Sequence, residues 1–323
     1  MTDAITVKNL VKTFPKSNGN AVDGVSFTVR RGEIFGLLGP NGAGKTTTIG
    51  VLTTTVRPTS GSAEVAGHDV AHDQIRVKQR IAVLPQMNNL DRSLRVREIL
   101  TFHAAYHGVP KRQREALADS LLKELGLFER QNEKIARYSG GMAQRVMVAR
   151  ALMHKPEVLF LDEPTNNLDP QSRLFLWERI QALNERGLTI LLTTHDMDEA
   201  DRLCQRIAIM DHGKILVNDT TAELKKLIPG GNALELQVEM GSGVEGLENR
   251  LDSLPGVIKV ESMGSSGDGP DGAAYRIYAA EAGALVGPVV QAATGAGLVI
   301  RDISVKNATL EEVFIYLTGR HLR

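Results

Sequence analysis

The chain carries four short, nearly continuous apolar runs: "EIFGLLG" (33–39), "IAVLP" (81–85), "VLFLD" (158–162) and "TILLTT" (189–194). Strands buried on both faces read this way, because neither face alternates toward water. Helical patterns separate the runs, and that alternation predicts a mostly parallel sheet with crossover helices. "AITVKNL" and "VSFTVRRG", near the start, alternate apolar and polar positions more strictly. They predict an antiparallel edge ahead of the parallel part. Between the second and third runs a charged helical stretch holds "SLRVREILTFHAAYHG" and "QREALADSLLKELGL". It is expected to form a helical subdomain, at about 88–154, inserted into the α/β core.

A Pro/Gly cluster, "LIPGGN" (227–232), marks a boundary. Beyond it the order reads strand "LELQVEM", helix "EGLENRLDSL", strand "VIKVES", glycine-rich loop "GSSGDGPDG", strand "AAYRIYA", helix "ALVGPVVQAATG", strand "LVIRDISV". This is βαββαβ, the ferredoxin-like order, and a last helix, "TLEEVFIYLTG", follows. The expected domains are therefore an α/β domain at 1–226 and a small α+β accessory or regulatory domain at 232–323. No motif of reactive residues stands in the second.

Composition adds limits rather than detail. A length of 323 residues suffices for two cores, and 42% hydrophobic with 24% charged residues is ordinary for a globular chain. No apolar run approaches the roughly 20 residues that cross a bilayer. "MTDAITVKNL" lacks the basic and apolar regions of a secretory signal. The single cysteine, Cys204, excludes an internal disulfide framework, fits a reducing compartment and is read as a core residue. Residues 1–229 hold 31 basic against 26 acidic side chains, and residues 230–323 hold 7 against 12. The asymmetry supports two units, while the basic excess is too small to imply nucleic acid.

The chemistry concentrates in the first unit. "GPNGAGKTT" fits the phosphate-loop pattern G-x-x-x-x-G-K-[ST] with Gly39, Gly44, Lys45 and Thr46 in the fixed places. A buried strand precedes it and a helical pattern follows, as that loop requires. Backbone N–H groups of Gly39, Pro40–Thr47 excepting the proline, would wrap the phosphates; Lys45 would reach the β/γ oxygens; Thr46 would offer its hydroxyl to magnesium. "VLFLDEPT" ends a buried strand in Asp162, which would reach the metal, and Glu163, which would polarise an attacking water. His195, after "TILLTT", is expected to contact the γ-phosphate, and Gln86, after "IAVLP", the magnesium or the water. "KIARYSGGMAQR" places Ser139, Gly140 and Gly141 at the mouth of a helix, where backbone donors and the helix dipole suit an anion or an N-cap. His68 and His72, and separately His103 and His107, are spaced i, i+4. Neither pair has a Cys or a third His nearby, so neither is read as a metal site.

"GPNGAGKTT", "LPQ", "YSGGM", "VLFLDEPTNNLDP" and "TTHD" resemble, in order and spacing, the ATP-binding cassette of ABC transporters over roughly residues 3–225. The C-terminal "ATLEEVFIYLTGRHLR" is similar to the tail of daunorubicin-resistance-type ATPase subunits that pair with ABC-2-type permeases. The resemblance implies a P-loop fold and a head-to-tail dimer of cassettes, each ATP lying between one phosphate loop and the partner's signature loop. It implies the ligands ATP and Mg2+, with the phosphate loop Gly39, Pro40, Asn41, Gly42, Ala43, Gly44, Lys45, Thr46 and Thr47 around the nucleotide. Ser139, Gly140 and Gly141 would serve the partner's ATP, Phe14 would stack on adenine, and Asp169 would link the two sites. Met142 stands where the commonest signature has Gln, and is read as packing on the face of Val146, Ala149 and Met153. Asn166 and Asn167 replace the small residues usual before Asp169.

The implied activity is ATP hydrolysis that drives a separate permease, in a multidrug or antibiotic exporter, from the cytoplasmic face of a bacterial membrane. The alternatives are an importer or a lipid or polysaccharide exporter, a soluble ABC ATPase acting on ribosomes or DNA, and a nucleotide-sensing module. Tandem cassettes or a long coiled-coil insertion would favour the soluble ATPase, and intact Glu163 and His195 disfavour the sensor.

Overall fold

The computed structural model describes residues 3–15, 19–228, 232–239, 246–264, 272–279 and 281–319. Compact packing divides the chain after Thr220, upstream of the expected end at 226.

In the first unit six strands form one sheet in the order β10-β9-β3-β8-β7-β6. They are β3 (Ile34–Leu38), β6 (Ile81–Leu84), β7 (Val158–Asp162), β8 (Thr189–Thr194), β9 (Arg206–Asp211) and β10 (Lys214–Thr220). The strands from β9 to β6 are parallel, and β10 closes one edge antiparallel to β9. The four apolar runs are thus four adjacent parallel strands. Every residue of β3, β7 and β8 is buried.

The antiparallel edge is therefore β10, not the two alternating segments near the start. These form β1 (Asp3–Thr13) and β2 (Asn20–Arg30), which join β4 (Ser60–Val65) and β5 (His68–Asp69) in a separate sheet, β2-β1-β4-β5. Alternation marks a strand with one covered face, but not which sheet it joins. The two sheets share a core in which Phe27 stacks on Phe35 at 5.2 Å between centroids, with Val7, Leu10, Phe160 and Leu191 buried around them.

Helices α1 (Lys45–Leu52) and α2 (Gln74–Arg80) belong to this core, followed by α3 (Val96–Tyr106), α4 (Lys111–Glu124) and α5 (Gly140–Leu152) between β6 and β7. Then come α6 (Pro170–Glu185) and α7 (Met197–Leu203). Cys204 is buried, and any larger residue at Gly36 would bring a Cβ within 2.7 Å of its sulfur.

The second unit begins with α8 (Thr221–Lys225). It continues through β11 (Asn232–Glu239), α9 (Leu247–Asp252), β12 (Val257–Gly264), β13 (Gly272–Ala279), α10 (Val286–Gly295), β14 (Ile300–Asn307) and α11 (Leu310–Thr318). Its fully antiparallel order, β12-β13-β11-β14, is that of a ferredoxin-like sheet. Leu234, Leu236, Ile277, Leu251 and Val289 form its core. Residues 229–231 of the boundary cluster "LIPGGN", 265–271 of the loop "GSSGDGPDG" and 320–323 of the tail lie outside the described residues. Among the described residues no helix is long and apolar enough to cross a membrane.

Candidate functional site

Parallel register brings the motif residues to one edge. Leu38 of β3 stands opposite Thr194 of β8, Asp162 of β7 opposite Thr193, and Leu84 of β6 opposite Leu161. The phosphate loop, the two acids, His195 and Gln86 therefore leave the sheet together, at the carboxyl ends where ligands bind α/β sheets.

The loop between β3 and α1 is shaped by its glycines. A Cβ on Gly39 would come within 2.2 Å of the Met210 carbonyl oxygen. Gly44 caps α1 at φ 104°, where a side chain would be strained and would meet Ala21 O at 2.4 Å. Between them Asn41 and Gly42 are exposed, Ala43 is buried, and Ala43 N donates to Pro40 O at 3.2 Å. The Lys45 ammonium is buried, donating to Gly39 O at 2.6 Å and Pro40 O at 3.0 Å. Burial lowers its pKa, against the opposing pull of Glu163 and Asp162. Thr46 donates to Asp162 Oδ1 at 3.2 Å, and Thr47 follows it in the first turn of α1.

The Glu163 carboxylate is the centre of the group. Its Oε1 lies 3.5 Å from Lys45 Nζ and 3.4 Å from His195 Nδ1. Its Oε2 accepts from Gln86 Nε2 at 2.8 Å and from Asn166 Nδ2 at 3.2 Å. Glu163 is buried at φ 47°, left-handed backbone that is uncommon for a residue with a Cβ. Its N–H donates to Thr193 O at 3.1 Å, which holds that turn on β8. Two acids in sequence thus face different partners: Asp162 meets Thr46 and Thr193, while Glu163 meets the lysine, histidine and amides.

Where α5 opens, Ser139 and Gly140 are exposed and Gly141 is half-buried. Ser139 is the N-cap, accepting from Met142 N at 3.3 Å. A Cβ on Gly141 would come within 2.2 Å of Ser172 Oγ, so the start of α6 requires that glycine. Gly140 has no such neighbour within 4 Å and no positive φ. Met142 is only half-buried, unlike Val146, Ala149 and Met153, and its sulfur accepts from Arg130 Nη1 at 3.2 Å. Asp169 caps α6, accepting from Ser172 N at 2.9 Å and Ser172 Oγ at 2.6 Å; the hydroxyl, then the N–H, hold its pKa down. Phe14, after β1, is exposed with Lys12 Nζ 4.9 Å from its ring centre.

Comparison with known proteins gives the family. The ABC transporter family matches residues 22–166. The daunorubicin resistance ATP-binding protein DrrA3 of Streptomyces coeruleorubidus is 38% identical over 98% of this chain and 96% of its own length. The chain belongs to the ATP-binding subunits of ABC transporters. The linearmycin resistance ATP-binding protein LnrL of Bacillus subtilis is 36% identical over 99% of both chains. A Nod factor export ATP-binding protein I of Burkholderia pseudomallei is 38% identical over 93% of both. Among solved structures, an ATP-binding subunit of an ABC transporter matches with a TM-score of 0.64 at 30% identity, over 69% of this chain and 92% of that one. A dimeric ATP-binding cassette in a post-hydrolysis state, bound to ADP and Pi, matches with a TM-score of 0.61 at 26% identity, over 67% and 98%. This cassette is accordingly an ATP-binding and ATP-hydrolysing protein, and cassettes of the family work as dimers with membrane permeases.

Three residues of the cassette's site are not apparent in the sequence reading. Thr193 donates to Asp162 Oδ1 at 2.6 Å, a contact visible only once β7 and β8 are paired. Asn166, noted as a departure from the family loop, holds Glu163. Glu199 is fully buried beneath the loop, accepting from Thr165 Oγ1 at 2.8 Å and Trp177 Nε1 at 3.0 Å. Its place at the third position after the α7 cap, Asp196, was the available signal.

Burial raises the Glu199 carboxyl above its ordinary 4.5, outweighing its hydrogen bonds. Between that value and the raised one the native state keeps a proton the unfolded chain has lost, so stability falls as pH rises. Glu199→Gln should remove this dependence. Urea unfolding across pH 4.5 to 8 should show wild type losing stability relative to the variant; parallel curves would refute the assignment.

The structure corrects the reading of the second histidine pair. His154, just after α5, joins His103 of α3 and His107, the C-cap of that helix. Its ring stacks on His107 at 3.9 Å between centroids, and His103 lies 5.4 Å away. Burial, then His107 and His154, push His103 down to about 3, and burial also lowers His107 and His154. The first pair stays apart from such a group: His72 pairs with Asp69 at 2.9 Å on the surface.

Proposed function

We propose that this cassette energises the export of antibiotic-like small molecules through a separate ABC-2-type permease, bound peripherally at the cytoplasmic face of a bacterial membrane. The observation that carries the ATPase side is the Glu163 carboxylate, gathered against Lys45, His195 and Gln86 at one sheet edge. The export side is supported by relatives named for daunorubicin and linearmycin resistance over nearly the whole length of this chain.

In this reading the N–H groups of residues 39 and 41–47 bind the phosphates and Lys45 bridges the β and γ oxygens. Glu163 accepts the proton of the attacking water, His195 orients the γ-phosphate, and Gln86 positions the water against Glu163. Thr46 and Asp162, joined at 3.2 Å, would hold the magnesium ion, a hydroxyl and a carboxylate being the oxygen donors it prefers. That ion would neutralise phosphate charge. Phe14 offers an exposed ring for adenine, and Asp169, the N-cap of α6, would link the paired sites.

Ser139, Gly140 and Gly141 complete the site of a second cassette, a copy of this chain or a homologue. Gly140 supports this, because among the described residues neither a close neighbour nor a positive φ requires a glycine there. Gly140→Ala should keep or slightly raise the melting temperature, since alanine is the better helix former by roughly 0.5–1 kcal/mol. It should lower ATPase activity by about ten- to a hundredfold by displacing the facing nucleotide. Unchanged activity in a folded variant would remove the signature role.

The whole reading is tested by capture. Tagged Glu163→Gln chain, loaded with Mg-ATP, is used to pull partners from detergent-solubilised membranes of its host. A stoichiometric integral-membrane partner is expected; a soluble dimer alone, or ribosomes or DNA, would end the transport assignment.

A further inference from the structure

We propose that His103, His107 and His154 form a binding site for a divalent transition metal of the Zn2+ class, built from side chains that the nucleotide site does not use. Each of the three offers a ring nitrogen, and these nitrogens lie within 4.8 Å of one another. His103 lies on α3 and His107 is its C-cap, whose N–H donates to His103 O at 3.2 Å, so the helix end sets their one-turn spacing. His154 comes from the far end of α5 and is aimed by its own hydrogen bond: Nε2 donates to the Ile81 carbonyl at 2.8 Å. That bond leaves its Nδ1 as the lone-pair nitrogen, as when a carbonyl behind a histidine ligand holds its ring in place. His154 Nδ1 and His103 Nε2 are buried with no hydrogen-bond partner. Unpartnered buried polar atoms are costly, and a bound cation would satisfy them.

A tetrahedral ion with bonds of 2.0–2.1 Å sets ligand nitrogens about 3.4 Å apart, so the rings must close inward and His107 must tilt off His154. The rings line part of a cavity of about 970 Å³ that Thr46 and Asp162 also line; it gives the rings room to turn and leaves a fourth position for water. Arg150 is the nearby opposing charge; its guanidinium is tied to Asn89 Oδ1 at 2.6 Å. Three imidazoles without a carboxylate suit Zn2+, Co2+, Ni2+ or Cu2+ rather than Mg2+ or Ca2+. Because His154 also holds the start of β6, the ion ties α3 to the strand that leads to Gln86.

The test uses untagged full chain without nucleotide, titrated with Co2+ as a visible probe and then with Zn2+. One equivalent of Co2+ should give the intense visible bands of four-coordinate cobalt, and Zn2+ should abolish them. His107→Ala should remove the bands and weaken Zn2+ binding at least about 100-fold. His154→Gln, whose amide can still donate to Ile81 O, should do the same with folding and ATP affinity kept. Absence of the bands in wild type, or equal bands in both variants, would overturn the site.

Discussion

Glu163→Gln is expected to lower ATP turnover by roughly 10²–10⁴-fold while leaving ATP affinity near that of wild type. The substitution keeps the size of the side chain, its left-handed backbone and the N–H bond to Thr193 O. What it removes is the carboxylate that Lys45, His195, Gln86 and Asn166 surround. An amide cannot take the proton of an attacking water, so the loss falls on kcat rather than on binding. Single-turnover hydrolysis with parallel calorimetry separates the two. A variant with wild-type kcat would exclude Glu163 as the base, and the proton would need another acceptor.

Lys45→Ala should show the opposite split, with weakened binding as its primary defect. The ammonium is held in place by Gly39 O and Pro40 O, so it meets a phosphate already oriented. A charged hydrogen bond contributes about 1.5–3 kcal/mol, and its loss should raise the ATP Kd by about 10–150-fold. Part of that effect is indirect, because the variant leaves the buried Glu163 carboxylate without its cation. Glu163→Gln combined with Lys45→Ala should therefore be more stable to urea than Lys45→Ala alone. Calorimetry finding unaltered nucleotide affinity in Lys45→Ala would remove the lysine from the phosphate site.

The sequence by itself determined the pieces that depend on near neighbours. Apolar runs located β3, β6, β7 and β8, because a strand covered on both faces needs apolar residues throughout. Glycine and lysine spacing located the phosphate loop, because a backbone that wraps an anion tolerates few side chains. The βαββαβ order of the second unit was legible for the same local reason. Tertiary structure alone decided which pieces meet. β1 and β2 joined β4 and β5 rather than the parallel sheet, a choice made by packing around Phe27 and Phe35 that alternation does not encode. Strand register put Thr193 opposite Asp162, and the turn at Glu163 brought Asn166 back onto its carboxylate. His154 reached His103 and His107 because α5 ends where α3 passes, and such a meeting of distant segments leaves no periodicity to read.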